Sequence, residues 1–176
     1  LDYKLREELR DELPKLFSGR RAIVFYATTE PHEALLFGNQ TLTMHEGRIT
    51  QFGPTAEIYR KPNSLVSARV FSDPPINIAK VTKKGRSLQL AHGDVTWPVA
   101  PSAARLPDGD YSIGLQPHYV LPQKASETSG ALSGRVLVTE ISGSESVVHI
   151  DVGGQTWVSQ SHGVHPHQVG EMATFH

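Results

Sequence analysis

The residues best suited to chemistry fall in two clusters. The first is Thr28-Thr29-Glu30-Pro31-His32-Glu33, which gathers two hydroxyls, one imidazole and two carboxylates in a single short run. Threonine hydroxyls of this kind cap helix N-termini, and a polar cluster after a parallel strand is where α/β folds place ligands. An ordinary strand-to-helix turn accounts for the same residue types. The second cluster is His162, His165 and His167 in the pattern His-x-x-His-Pro-His. Imidazoles this close are of the type that binds zinc or nickel. Gly163 and Pro166 make the run a flexible loop and no carboxylate is expected beside it to complete a site, so a polar hairpin loop without a metal is the expectation.

The elements around these residues set their positions. Ala22 to Ala27 is a continuous apolar run rich in β formers, which suits a parallel strand covered on both faces. Pro31 then fits the first turn of a helix, and Glu33 lies near the positive end of that helix's dipole. Upstream, leucines at 1, 5, 9, 13 and 16 lay an apolar stripe along a helix from Leu1 to Phe17, with Asp2 as its N-cap and Pro14 near its end. Downstream, Gln40 to Phe52 reads as two strands turning at Glu46-Gly47. Thr55 to Tyr59 and Ser64 to Phe71 read as two short helices.

The character changes at Asp73-Pro74-Pro75. Beyond it lie short β patterns at Ser87–Leu90, Val95–Pro98, Tyr111–Leu115, Gly134–Ile141, Ser146–Val152, Gln155–Gln160 and Glu171–Phe175. Turn signals at Pro107-Asp108-Gly109 and Gly153-Gly154 separate them. The expected fold class is α+β: a partial α/β region over 1–74, then a small OB-like β-barrel over 75–176. Trp97 and Trp157 are expected to pack inside that barrel.

Composition narrows the function classes. The chain of 176 residues carries 17 basic and 18 acidic side chains, so neither nucleic acid nor an anionic membrane is indicated as a partner. It has no cysteine, which excludes disulfides and thiolate metal sites. Its apolar runs fall far short of the ~20 residues that span a bilayer.

Taken in order, AIVFYATTEPHEALLFGNQTLTMHEGRITQFGP, Ala22 to Pro54, resembles the last part of the nucleotide-binding domain of an ABC-transporter ATPase. The exit that follows resembles the sugar and polyol importers of the maltose, glycerol-3-phosphate and glycerol type. Gln51, Gly53, Glu57, Tyr59, Pro62, Ala68 and Phe71 fit that family's pattern. Tyr111 to His118 resembles the Gly-Ile-Arg-Pro-Glu element of the TOBE domain, an OB-like barrel, with Gln116 for Arg and His118 for Glu. Gly134 to Val152 resembles the strand pair that comes next. Each match is weak alone, and their shared order gives the resemblance its weight.

The resemblance implies several properties. The family's switch histidine follows a threonine and contacts the γ-phosphate and the attacking water. Ala27-Thr28-Thr29-Glu30 matches that run, so Thr29 holds the histidine's place, with Thr28 beside it at the nucleotide. Threonine can hydrogen-bond but cannot act as a titrating imidazole. A catalytically weakened subunit is therefore implied, in a homodimer or paired with a different, intact subunit. His32 lies one helical turn on, and its position points it elsewhere. Asp2 matches the D-loop aspartate that couples the two nucleotide sites of a dimer, and Glu33 matches a structural acid of the helix after the switch.

The Walker A loop, signature loop and Walker B carboxylates of the family do not occur in this sequence. The chain is thus expected to be a C-terminal portion of a longer ATP-binding subunit, inactive alone and without a cofactor of its own. The longer subunit would use ATP and Mg2+. Its partners would be a second ATPase subunit, transmembrane permease subunits and, indirectly, an extracytoplasmic solute-binding protein. It would sit in the cytoplasm, peripheral to the membrane through the permease. The alternative is a non-catalytic regulatory module whose barrel docks a partner or small ligand. In either case, an α/β region without its neighbouring strands is expected to expose apolar surface and to self-associate or be partly disordered.

Overall fold

In the computed structural model the described residues are Glu8, 12–15, 23–127 and 129–176. Of the leucine-striped segment, Glu8 and residues 12–15 are helical, and Lys15 pairs with Glu12 at 2.8 Å one turn away. Asp2 lies outside the described residues. The chain divides into two units, Leu1–Phe71 and Ser72–His176. Strands predominate in the second unit, whereas the first, beyond that helical segment, combines three short helices with one hairpin among the described residues.

In the first unit, α1 (Pro31–Phe37) leads to a hairpin of β1 (Gln40–His45) and β2 (Arg48–Pro54), then α2 (Thr55–Arg60) and α3 (Leu65–Val70). The hairpin turns at Glu46-Gly47, whose φ angles of 48° and 73° are both positive, as the favoured two-residue turn requires. Gly47 meets this without strain. The register slips between Thr43 and Met44, opposite Thr50. Ser64 caps α3 by accepting the Ser67 N–H at 3.2 Å.

The interior of this unit is unusually polar. Thr43 and Ser67 are buried, and their hydroxyls join those of Thr50 and Ser64 in one network. Gln51 ties β2 to the loop ahead of α3. Its Nε2 donates to the Lys61 carbonyl at 3.2 Å, and its Oε1 accepts from the Asn63 N–H at 2.9 Å. Ile58, Ala68 and Phe71 supply the buried apolar part, with Tyr59 edge-on to Phe71 at 6.0 Å.

One expectation for this unit is corrected. Residues 23–27 form no strand, and Ile23 and Phe25 are 88% and 94% exposed. A parallel strand covered on both faces takes hydrogen bonds from neighbours on each side. No described strand pairs with this segment. Its β-forming composition therefore finds no sheet to join.

The second unit holds two four-stranded antiparallel sheets. One runs β5 (Thr96–Pro98), β4 (Ser87–Leu90), β3 (Asn77–Lys84), β6 (Gly109–Leu115). The other runs β10 (Met172–Phe175), β7 (Leu132–Ile141), β8 (Glu145–Val152), β9 (Gln155–His162). Alternate residues of β8, Val148, Ile150 and Val152, point into one core with Val81, Leu90, Val136, Trp157 and Phe175. Trp97 meets Trp157 at right angles, 5.6 Å between centroids, and donates its indole N–H to the Ala131 carbonyl at 2.8 Å. The expected packing role of both tryptophans is what the structure displays. Gly134 lets β7 approach β8, since a Cβ there would fall 2.5 Å from the Asp151 carbonyl oxygen.

The sheets are tied by side chains. Asn77 on β3 donates Nδ2 to the Val158 carbonyl at 2.8 Å and accepts the Val158 N–H on Oδ1 at 2.6 Å. One buried amide thus serves both backbone groups of a residue on β9. Gln155 likewise donates to the Ile78 carbonyl. Strand β3 itself has no counterpart among the sequence expectations. Its inward set is Asn77, Ala79, Val81 and Lys83, so polar residues stand at both ends and mask the alternation.

Candidate functional site

The run from Tyr26 to Glu33 folds into a closed polar turn. Pro31 begins α1, preset in φ for the first turn, and Glu30 is the N-cap residue without a side-chain cap bond. The two threonines thus do not cap α1. The Thr28 hydroxyl instead accepts the Glu30 N–H at 2.9 Å and donates to the Glu33 carboxylate. Tyr26 donates its phenol to the same carboxylate oxygen at 3.1 Å. Its ring stands edge-on to Phe37, 5.0 Å away, at the far end of α1.

Glu33 is only 3% exposed, a buried carboxylate held by two hydroxyl donors rather than by a cation. Thr29 and His32 are exposed. The structure therefore joins Thr28 with Glu33 and Tyr26, and leaves Thr29 and His32 facing solvent. Tyr26 was missing from the sequence reading. Its signal was the two-residue spacing to Thr28, which on extended backbone puts both side chains on one side.

The histidine loop does not converge. His167 Nδ1 lies 2.7 Å from Glu171 Oε1, and its ring packs against Phe175 at 5.4 Å. The hydrogen bond from His167 holds the Glu171 carboxyl below its ordinary range. His162 faces a different carboxylate, Glu145, at 3.8 Å, while His165 Nε2 meets the His162 carbonyl at 2.9 Å. Carboxylates do stand beside this loop, contrary to expectation: Glu145 is brought there by β8, and Glu171 lies four residues after His167, just before β10. No group of three ligating side chains able to hold a metal occurs among the described residues.

In the element from Tyr111 to His118, Ser72 Oγ donates to Gln116 Oε1 at 2.6 Å. His118 stacks at a tilt on Tyr119, 4.3 Å away, and partial burial lowers its imidazole pKa. Asp108 receives Lys83 Nζ and the Gly85 N–H, both at 2.9 Å, and these bonds lower its pKa. Among the described residues, no helix is long and apolar enough to cross a membrane, which leaves β-barrel spanning unaddressed.

With this geometry in view, the chain can be set beside the proteins it resembles. No protein-family model matches it. An sn-glycerol-3-phosphate import ATP-binding protein of Yersinia enterocolitica is 28% identical over 91% of this chain and 45% of its own length. One from Rhizobium johnstonii is 30% identical over 88% of this chain and 41% of its own length. An uncharacterized ABC transporter ATP-binding protein of Escherichia coli is 24% identical over the whole chain and 49% of its own length. The homologues of this chain are thus ATP-binding subunits of ABC transporters, glycerol-3-phosphate importers among them. This agrees with the order of motifs in the sequence. The chain spans less than half the length of each of these relatives.

Proposed function

We propose that this chain is part of the ATP-binding subunit of an ABC importer that energises uptake of a sugar or polyol. The observation carrying the reading is its similarity, along 88% to 91% of its length, to import ATP-binding proteins. On this reading the first unit is the end of the nucleotide-binding domain and the β unit is its OB-like TOBE domain. The subunit would bind ATP with Mg2+, pair with a second ATPase subunit and dock on membrane permease subunits. That places it in the cytoplasm at the membrane face, coupled indirectly to an extracytoplasmic solute-binding protein. Asp2 would serve the dimer contact.

The residues present fit one edge of a nucleotide site. The turn offers the exposed Thr29 hydroxyl, with Thr28 beside it tied to Glu30 and Glu33. No glycine-rich cradle of N–H groups for the phosphates occurs in the sequence, so that part of the site must come from elsewhere. This chain alone would hydrolyse nothing. In the longer subunit, Thr29 would orient a phosphate oxygen or a water, but it cannot take up a proton as an imidazole does. ATP supplies the phosphoryl chemistry when bound.

Nucleotide titration of the complete subunit tests the proposal. Saturable ATP binding is expected, with weak hydrolysis that Thr29→His raises. Absence of ATP binding would leave the other reading, a regulatory module acting through the β unit. Robust hydrolysis by the unaltered subunit would remove the idea of a weakened switch position.

A further inference from the structure

Most buried carboxylates are paired with a cation or a cluster of N–H groups, because an ionised group is costly to remove from water. Glu33 has two hydroxyl partners instead, and both come from the segment leading into the turn. Tyr26 and Thr28 sit on one side of that segment, and Glu33 is in the first turn of α1. Thr28 is the hub: its oxygen accepts the Glu30 N–H while its proton goes to Glu33. Residues 26, 28, 30 and 33 are thereby locked together, and Thr29 lies exposed between two fixed neighbours, Thr28 and Glu30.

We propose that Glu33 is a positioning residue, whose buried carboxylate latches the Tyr26 and Thr28 hydroxyls and so holds Thr29 out toward the terminal phosphate of a nucleoside triphosphate. This rests on the nucleotide-binding reading given above and extends it. Glu33 would touch no ligand itself. The latch also gives position 28 a strict chemical requirement, a hydroxyl able to accept and donate at once. Serine meets it, and valine, of the same shape as threonine, does not.

Two measurements separate the latch from its role. The first is amide hydrogen exchange at Glu30 in the 176-residue chain. Exchange there should quicken roughly tenfold in Thr28→Val and in Glu33→Ala, and keep its wild-type rate in Thr28→Ser. A wild-type rate in Thr28→Val would overturn the latch, whatever the chain binds. The second is the ratio of ADP to ATP dissociation constants in the complete subunit. Glu33→Ala should reduce the preference for ATP by roughly tenfold and leave ADP affinity unchanged, whereas Thr28→Val should reduce the preference to a similar extent and Thr28→Ser should retain it. General destabilisation would weaken both nucleotides together. If exchange quickens but the ratio stays constant, the positioning role fails and the latch is only structural. If the unaltered subunit binds neither nucleotide, the functional reading fails along with the role built on it, while exchange still decides the latch.

Discussion

The two units solve the problem of burial in opposite ways. In Ser72–His176, large apolar side chains lie innermost, with Trp157, Phe175 and Ile150 fully enclosed between two sheets. In Leu1–Phe71 the enclosed side chains include Glu33, Thr43, Thr55 and Ser67, while Ile23, Phe25, Leu36 and Phe52 face solvent. The β unit closes its core with its own strands. The first unit is held by hydroxyl and amide bonds beside a small apolar cluster of Ile58, Ala68 and Phe71, while its other large apolar groups, Ile23 and Phe25 among them, stay exposed. This difference teaches that an apolar run records the surroundings it suits, and supplies those surroundings only if partner strands are present. The expected exposure of apolar surface in the first unit is therefore observed, while its association state is a separate matter.

Paired substitutions would break or sharpen this contrast. The largest effect belongs to the β core: Trp157→Ala should cost about 3–5 kcal/mol in denaturant unfolding, through lost burial and the cavity left behind. Its counterpart, Phe25→Ala, should stay within about 0.5 kcal/mol, since the ring is already in solvent. Equal costs would dissolve the contrast.

The next effect is at the tie between the sheets. Asn77→Ala strands a buried N–H and a carbonyl of Val158, at about 2–3 kcal/mol. Unfolding at unchanged midpoint would show that the Asn77 bonds add nothing to the hold between β3 and β9.

In the first unit the polar interior should carry a smaller cost. Ser67→Ala removes the centre of the hydroxyl network and should lower local stability by about 1–2 kcal/mol, read as faster hydrogen exchange along β1 and β2.

The smallest effect is electrostatic. His167 holds the Glu171 carboxyl below its ordinary range, so folding favours the ionised form. That contribution is complete above the ordinary carboxylate pKa and is lost as pH falls through the lowered folded value. His167→Leu should return the Glu171 midpoint upward toward the ordinary range in an NMR titration. An unmoved midpoint would assign the depression to the backbone of Gln168, the other donor at that carboxylate.

What was legible in advance follows the range of the interactions. The Glu46-Gly47 hairpin, the Ser64 cap, Pro31 at the start of α1 and most strands of the β unit rest on neighbours within a few residues. Local chemistry is enough for these: a turn that needs positive φ, a hydroxyl ahead of a helix, a period of two. The family resemblance was equally readable, because the order of motifs is a property of the chain itself.

Only the tertiary structure decided the rest. Strand β3 escaped notice because Asn77 and Lys83 face inward, each excused by a distant partner, Val158 or Asp108. The carboxylate beside His162 arrives on another strand, β8, whereas the one beside His167 lies four residues along the same loop. The 23–27 run looked like a buried strand and is exposed, since pairing depends on what lies alongside. At the turn, the sequence named Thr28 and Thr29 but could not say that Tyr26 and Glu33 hold one and free the other. Residue types and local spacing are written along the chain, whereas burial and the pairing of polar groups depend on distances across the fold.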